Sequence, residues 1–546
     1  MIEQNQKTVR HIFTPPLLPM TITIDLPPIP AAKAGGGIDR ELAPFLARAA
    51  GVRPDDVLDY RIVRKSIDAR KKPAVALLFR ADVDLAEGVR PSNGPNVKPY
   101  TPRETYRPFE GKTTLRNPLV IGAGPAGLFA ALVLANAGCA PVVLERGRDV
   151  DRRRRDIEVF RASRTPDPES NYLYGEGGAG TWSDGKLFTR IHEPAVMYVL
   201  ETFAACGADS SITYFSHPHL GSDRLPGIIA ALREKIKHLG GTFRWDSRVD
   251  ELLIRDGRCR GVRLANGETL ESDVVIAAAG HSARTFTRSL FGRVKSSMKG
   301  FQVGIRIEHP QEFINAAQYG MAVPPDSIGP APYQVVSRPS QDGRIDGAAS
   351  FCMCPGGEII AAVTDADHLS TNGMSNAARD GKFANAALIT TIPAGTFAAP
   401  GDAFEFLDGL EAKLAQAGGG GCTAPAQTAR DFLNGKTGRL PGETSYWFGL
   451  APARLDAIMP APVTASLRRA LVHFDKVMPG FLDRGVMIGG ETHVSSPVRF
   501  DRDRVTYKSS LDGLYFCGEG AGFAGGIVSA AVDGLHTADA ALANHP

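Results

Sequence analysis

Between Asn117 and Glu145 the chain passes from one unbroken apolar run, PLVI, through a glycine-rich turn and an alanine- and leucine-rich stretch to a second apolar run, PVVLE. Short apolar runs bounded by turns predict strands, and the alanine-rich stretch between them predicts a helix. Farther on, Leu225–Leu239 predicts a helix that tolerates Pro226 in its first turn. Strands are expected at Thr242–Val249, Glu251–Arg255 and Cys259–Leu264, with a turn at Ala265–Gly267, before the apolar strand of SDVVIAAAG. From Phe301 to Gly480 the alternating runs FQVGIRIEH, YQVVSR and EIIAAVT predict a mostly antiparallel sheet with helices. The GGGG at 418–421 reads as a loop, and glycine-rich strand–helix texture returns at Val486.

Residues 1–112 differ in texture. Proline-rich breaks (TPPLLP, DLPPIP, RPSNGP) surround one helix near Asp39–Ala50 and strands near Leu58–Val63 and Ala74–Phe79, and the linker KPYTPRETYRPFEGKTTLR closes the segment. A length of 546 residues exceeds one ordinary core. The expected organisation is a small α+β appendage at 1–112, an α/β Rossmann-like domain split between 113–300 and 481–546, and an α+β lobe inserted at 301–480 that should supply the substrate pocket.

The turn between the first two strands carries the chemistry. Gly122, Ala123, Gly124, Pro125, Ala126 and Gly127 spell G-x-G-x-x-G, and Glu145 ends the second strand, followed by Arg146. The three glycines permit, in order, the tight turn, the approach of backbone to a pyrophosphate, and close helix–strand packing. The pyrophosphate then meets free N–H groups at the helix start, and an ionised Glu145 can only accept, as ribose hydroxyls require. A glutamate at this position favours an unphosphorylated ribose, so the ligand expected is FAD or NAD.

Two segments favour FAD. SDVVIAAAG, ending at Gly280, resembles the second characteristic strand of flavoproteins, and GLYFCGEGAGFAGGIVSAAVDGLHTADAAL resembles their closing motif. The resemblance implies that Gly518 and Glu519 stand where an acid holds the ribityl chain, with glutamate in place of the usual aspartate. A helix beginning at Gly526 and Ile527 would then point its positive end at the flavin. A second G-x-G-x-x-G at Gly520, Gly522 and Gly525 lacks a following strand with a terminal acid and is rejected as an NAD site.

Over nearly its whole length the chain resembles bacterial FAD-dependent dehydrogenases of the glutathione-reductase-like flavin fold. SIDARKK, LERG, NYLYGEGGAGTWSDGKLFTRI, AAAGHSAR, GIRIEHP, FCMCPGG, TNGMS, THVSSPVR and GEGAGFAGG carry that resemblance. It implies that Gly177, Gly178, Ala179 and Gly180 wrap the cofactor with their backbone, and that Val249 belongs to the same shell. Lys186 is a candidate for polarising the flavin or orienting an anionic substrate, with a salt bridge to Asp184 or Glu176 as the alternative. His493 is a candidate acid–base group, and Arg499 a candidate anion anchor. His281 is expected near the adenine end.

The function expected is hydride transfer between flavin and a small organic substrate, with NADH or NADPH as a candidate transient donor. A flavin hydroxylase is disfavoured because Gly280-His281 stands where those enzymes carry Asp-Gly. A disulfide reductase is disfavoured because no C-x-x-x-x-C follows Glu145. RNA modification and a non-enzymatic binding module are the other classes. The basic segment RKSIDARKK, read as a solvated turn, permits the first but hardly argues for it, and a net charge of +3 argues against a protein built to coat nucleic acid.

With 43% hydrophobic and 22% charged residues, no membrane-length apolar run and no signal peptide, the expected location is the cytoplasm. Seven scattered cysteines fit a reducing compartment. Cys352 and Cys354 form C-x-C rather than C-x-x-C and lack the second pair a zinc site needs. No metal is expected, and the two are read as small buried thiols on a strand, with redox activity left open. Oligomeric state is not legible.

Overall fold

The computed structural model describes residues 20–35, 37–343 and 345–545, so the TPPLLP break lies outside the described residues. Among the described residues, one compact unit holds the chain from Met20 to Arg103 together with Tyr214–Ser216 and Pro325–Ile328, and a second holds the rest. In the first, antiparallel strands β1 (Met20–Asp25), β2 (Val57–Asp68), β3 (Ala76–Leu85) and β4 (Val97–Pro99) form a sheet with Ile29–Pro30. The helix expected over Asp39–Ala50 is shorter: a 3-10 turn at Ile38–Arg40 precedes α1 (Ala43–Ala50). Pro44 explains the start, because it lacks an N–H and fits only the first turn. The basic segment is a turn only in its second half, since Arg64–Asp68 belong to β2.

The centre of the second unit is a five-stranded parallel sheet. Its strands are β5 (Leu119–Ile121), β6 (Val142–Leu144), β7 (Thr242–Arg244), β8 (Val275–Ala277) and β14 (Leu514–Phe516), in the order β14–β8–β5–β6–β7. The apolar helix α2 (Pro125–Asn136) is buried from Ala126 through Ala135, as a helix without a polar face must be. It packs on α4 (Ile527–Ala543), where Gly534 lies so close to Ala126 that any side chain would strike its carbonyl. Helix α3 (Val150–Ser163) is capped by Asp149, whose carboxylate accepts from the N–H groups of Asp151 and Arg152.

The expected strand Thr242–Val249 breaks after Arg244, because Asp246 takes a left-handed conformation (φ 51°) and turns the chain. The second strand then starts earlier than expected, at Val249, and runs to Arg255. It forms an antiparallel ribbon with Arg258–Leu264 and Thr269–Glu271.

The region from Phe301 onward builds a seven-stranded, mostly antiparallel sheet. It contains β9 (Phe301–Pro310), β10 (Ala348–Cys354), β11 (Phe383–Ile392), β12 (Ala424–Thr428) and β13 (Val486–Glu491). β13 comes from beyond residue 480 and pairs with β9 and β12, so the closing segment contributes to this sheet before it returns to the parallel one as β14. The glycines at 418–421 end a helix: Pro400–Gly418 is helical and Gly419, Gly420 and Gly421 all have positive φ.

Candidate functional site

Glycine at three turns brings backbone together above the parallel sheet. Gly122 (φ 99°) leaves β5 so tightly that a Cβ would sit 2.5 Å from the carbonyl oxygen of Ala278, just beyond β8. Gly124 caps α2 without a side-chain hydrogen bond, so the first N–H groups of that helix point out unsatisfied. The segment 177–180 lies directly against this turn: Gly177 N–H donates to the Ala123 carbonyl at 2.8 Å, and a Cβ on Gly178 would come within 3.2 Å of Gly124 Cα. Gly180 faces the start of α4, where a Cβ would meet Ile527 at 3.1 Å.

Glu145 ties these turns together. Its buried carboxylate accepts from the N–H groups of Ala123 (2.9 Å), Gly147 (2.9 Å) and Gly175 (3.0 Å). Three of roughly four acceptor positions on the carboxylate are therefore taken by backbone. Arg146 pairs with Glu169 at 2.7 Å and stacks its guanidinium 3.7 Å from the Tyr174 ring centre. Val249 is buried at the start of the ribbon.

Arg153 holds the glycine segment from beneath. It is fully buried, donates to the carbonyls of Asn171 (2.8 Å), Glu176 (2.7 Å) and Gly178 (2.9 Å), and lies over the Trp182 ring. Burial pulls its pKa down, and Glu145 and Glu176 oppose that pull. Sequence inspection passed over it, although Val150, Arg153, Ile157 and Phe160 recur at the three–four spacing of one buried helix face.

The closing segment completes the cradle. Gly518 (φ 78°) donates its N–H to Asp533 at 2.7 Å, and Gly526 (φ 87°) starts α4 without a side-chain cap. Gly280 and Gly520 are in backbone contact, and Gly522 packs on Val498 and Arg499. Glu519 is half-buried and turned toward Ser496, whose N–H it accepts at 2.9 Å, with Lys299 3.7 Å away. Burial raises its pKa, against the pull of Lys299.

Residues 117–162, which supply the first glycine turn and Glu145, match a family described as FAD binding domain. Residues 300–494 match one described as FAD-dependent protein, C-terminal domain-like, and 21–84 match a domain of unknown function. An uncharacterized protein of Clostridium beijerinckii is 36% identical over 504 residues, covering 90% of this chain and 94% of that one. The chain belongs to this family of FAD-dependent proteins. Phytoene desaturase (neurosporene-forming) from Cereibacter sphaeroides is 38% identical over 73 residues, 13% of this chain and 14% of that one. The solved fructosamine oxidase Amadoriase II from Aspergillus fumigatus is similar at a TM-score of 0.34 and 13% identity, over 80% of this chain and 88% of that one. A score that low gives the likeness no weight as to function.

The FAD-dependent family reading fits the cradle. Two long helices, α2 and α4, both begin at glycine with uncapped N–H groups, and both starts meet the 177–180 segment through Gly178 and Gly180. Arg153 keeps one buried guanidinium nitrogen, Nη2, without a hydrogen-bond partner. The fold matches expectation: a discontinuous Rossmann-like FAD-binding domain, an inserted α+β lobe and an N-terminal α+β appendage.

The three candidate chemical residues of this FAD-dependent protein make separate sets of contacts. Lys186 pairs with Asp184 at 3.1 Å, which Arg379 also holds at 2.6 Å, and its Nζ lies 3.9 Å from Cys354 Sγ. Glu176, the other partner considered for Lys186, pairs with Arg233 at 2.7 Å. His493 is buried beside Glu411 (3.4 Å), accepts or donates at Ser282 Oγ (2.9 Å), and packs on the His281 ring. Burial and Arg284 push its pKa well below the usual histidine range, so it is neutral near pH 7. Arg499 is exposed on the strand Val498–Phe500, and its Nε donates to Gly522 O at 3.3 Å.

Proposed function

We propose that this FAD-dependent oxidoreductase moves a hydride between its flavin and a small or medium organic substrate, in the cytoplasm, with NADH or NADPH as candidate donor. Bound FAD would supply two-electron chemistry at N5. The chain's own part is to hold and polarise. The uncapped starts of α2 and α4 offer N–H donors and positive dipole ends to anionic groups, while Gly124, Gly178 and Gly180 let backbone lie against the ligand. The observation that carries the reading is the meeting of three glycine turns, which Glu145 and Arg153 hold from within. Seven free cysteines support a reducing compartment.

RNA as substrate is weakened by the basic segment itself: Arg70 pairs with Asp68 at 2.6 Å, and Lys65 with Asp39 at 2.6 Å. His493, neutral and enclosed, is better suited to orienting its neighbours than to exchanging protons with substrate. Among the described residues no helix is long and apolar enough to cross a membrane. The test is anaerobic titration of the purified protein with NADH and NADPH. Bleaching of the flavin band by one of them supports that donor, and an unchanged band with both excludes it and leaves reduction to the substrate.

A further inference from the structure

The strand β10 ends in a feature that the cofactor cradle does not use. Cys352 takes a left-handed backbone conformation (φ 44°), which a non-glycine residue adopts only at a cost. The pairing register with β11 slips between Phe351 and Cys354, which marks a bulge. Residues i and i+2 of a straight strand stand about 6.6 Å apart at Cα, the upper end of what a disulfide spans, and a bulge shortens that distance. The Cys354 thiol donates to the Cys352 carbonyl at 3.3 Å, so the two cysteines are in direct contact. Cys354 is fully buried, whereas Cys352 is half-buried.

The charges around the pair are unbalanced. Lys186 approaches the pair from the Cys354 side; Arg306, fully buried, donates to the Cys352 carbonyl at 3.0 Å and pairs with Glu491 at 2.7 Å; Arg379 and Lys186 share Asp184. Three cations against two carboxylates leave one positive charge in excess. His219, beside Asp184 and Arg379, adds none near pH 7, because burial pulls its pKa down. Tyr333 places an unpartnered, buried hydroxyl in the same surroundings. A single thiolate shared by the pair completes the balance.

We propose that Cys352 and Cys354 form a two-electron thiol–disulfide couple acting on a small organic disulfide, with Cys352 as the attacking thiolate and Cys354 as the resolving thiol. Cys352 sulfur bonds to one sulfur of R–S–S–R and expels RS⁻. Cys354 passes its proton to that RS⁻ and attacks the Cys352 sulfur, which expels the second RS⁻. The thiolate–thiol pair is oxidised to a disulfide, and the substrate disulfide is reduced to one thiol and one thiolate, which takes its proton from solvent. Interaction with the neighbouring Cys354 thiol, aided by Lys186 and Arg306, holds the Cys352 thiol well below the usual range and drives Cys354 up. Burial instead raises the thiols of Cys139, Cys206, Cys259, Cys422 and Cys517.

The test uses the full reduced chain, with and without added FAD. Iodoacetamide at pH 6, followed by peptide mass mapping, should modify Cys352 about tenfold faster than half-buried Cys206. That factor weighs a larger thiolate fraction against the lower nucleophilicity of an acidic thiol. Lys186→Met should move the pH profile of that reaction upward. With 2-hydroxyethyl disulfide the wild type should lose two hydrogens and yield a linked Cys352–Cys354 peptide, whereas Cys354→Ser should stop at a mixed disulfide on Cys352. A Cys354→Ser protein that melts like wild type yet traps no adduct overturns the proposal, as does a wild type that never forms the linked peptide. A chain that binds no FAD but still forms it would sink the cofactor reading and leave the couple standing.

Discussion

Replacing Glu145 by glutamine separates two roles that one carboxylate could play. In the structure Oε2 accepts from Ala123 N–H, and Oε1 accepts from both Gly147 and Gly175 N–H. Glutamine keeps one oxygen, which can still serve Gly147 and Gly175, but presents an NH₂ to the Ala123 N–H. One charge-assisted bond of about 1.5–3 kcal/mol becomes a donor–donor contact, and the other two weaken toward the roughly 1 kcal/mol of neutral bonds. The sum is about 4 kcal/mol. For a unit of this size that corresponds to a melting shift of roughly 4–5 °C. The assay is thermal unfolding of the FAD-free protein, followed by equilibrium FAD binding. Since the turns that Glu145 clamps are those that form the cradle, affinity should fall with stability. A Glu145→Gln protein that melts within about 1 °C of wild type but binds FAD far more weakly would refute the clamp and leave only a direct ribose contact.

Three further outcomes are expected. Burial pulls His309 down to about 4, with only Phe481 O as partner for Nε2 and none for Nδ1. A depressed folded pKa means stability that is full above the usual histidine value near 6.5 and is lost progressively from there down to about 4. In urea titrations from pH 7 to 5, His309→Phe should therefore remove about 2 kcal/mol of the wild-type loss; an unchanged slope would contradict this. Arg306→Met leaves Glu491 buried and unpaired and should cost about 3–5 kcal/mol, with part recovered in the Arg306→Met/Glu491→Gln double variant, as read by chemical denaturation. Gly178→Ala forces a left-handed alanine against Gly124 and should cost about 1–2 kcal/mol of stability while sharply reducing FAD uptake, measured by flavin absorbance.

The parallel sheet was legible because its strands are apolar on both faces and its turns are glycine where no side chain fits, as at Gly122 and Gly127. The cradle followed from the same motifs. Element edges were less legible, because single residues decide them: Asp246 turns the chain inside an otherwise strand-like run, and Pro44 delays a helix that the apolar pattern starts earlier. Long-range partnerships were not legible at all. Nothing in LERG says that its glutamate meets three backbone N–H groups from separate turns. Arg153 sits in a run of four arginines, and only the helical phase of its neighbours distinguishes the buried one. Cys352 and Cys354 were visible as C-x-C, but the cations around them come from residues 186, 306 and 379, whose convergence depends on tertiary packing.

The most direct measurement is the cofactor itself: purify the chain, record its visible spectrum, release the chromophore and determine its identity and stoichiometry, adding FAD where it is lost. One FAD per chain, weakened by Gly178→Ala, is the predicted result. A colourless protein that takes up no FAD would contradict the account at its centre.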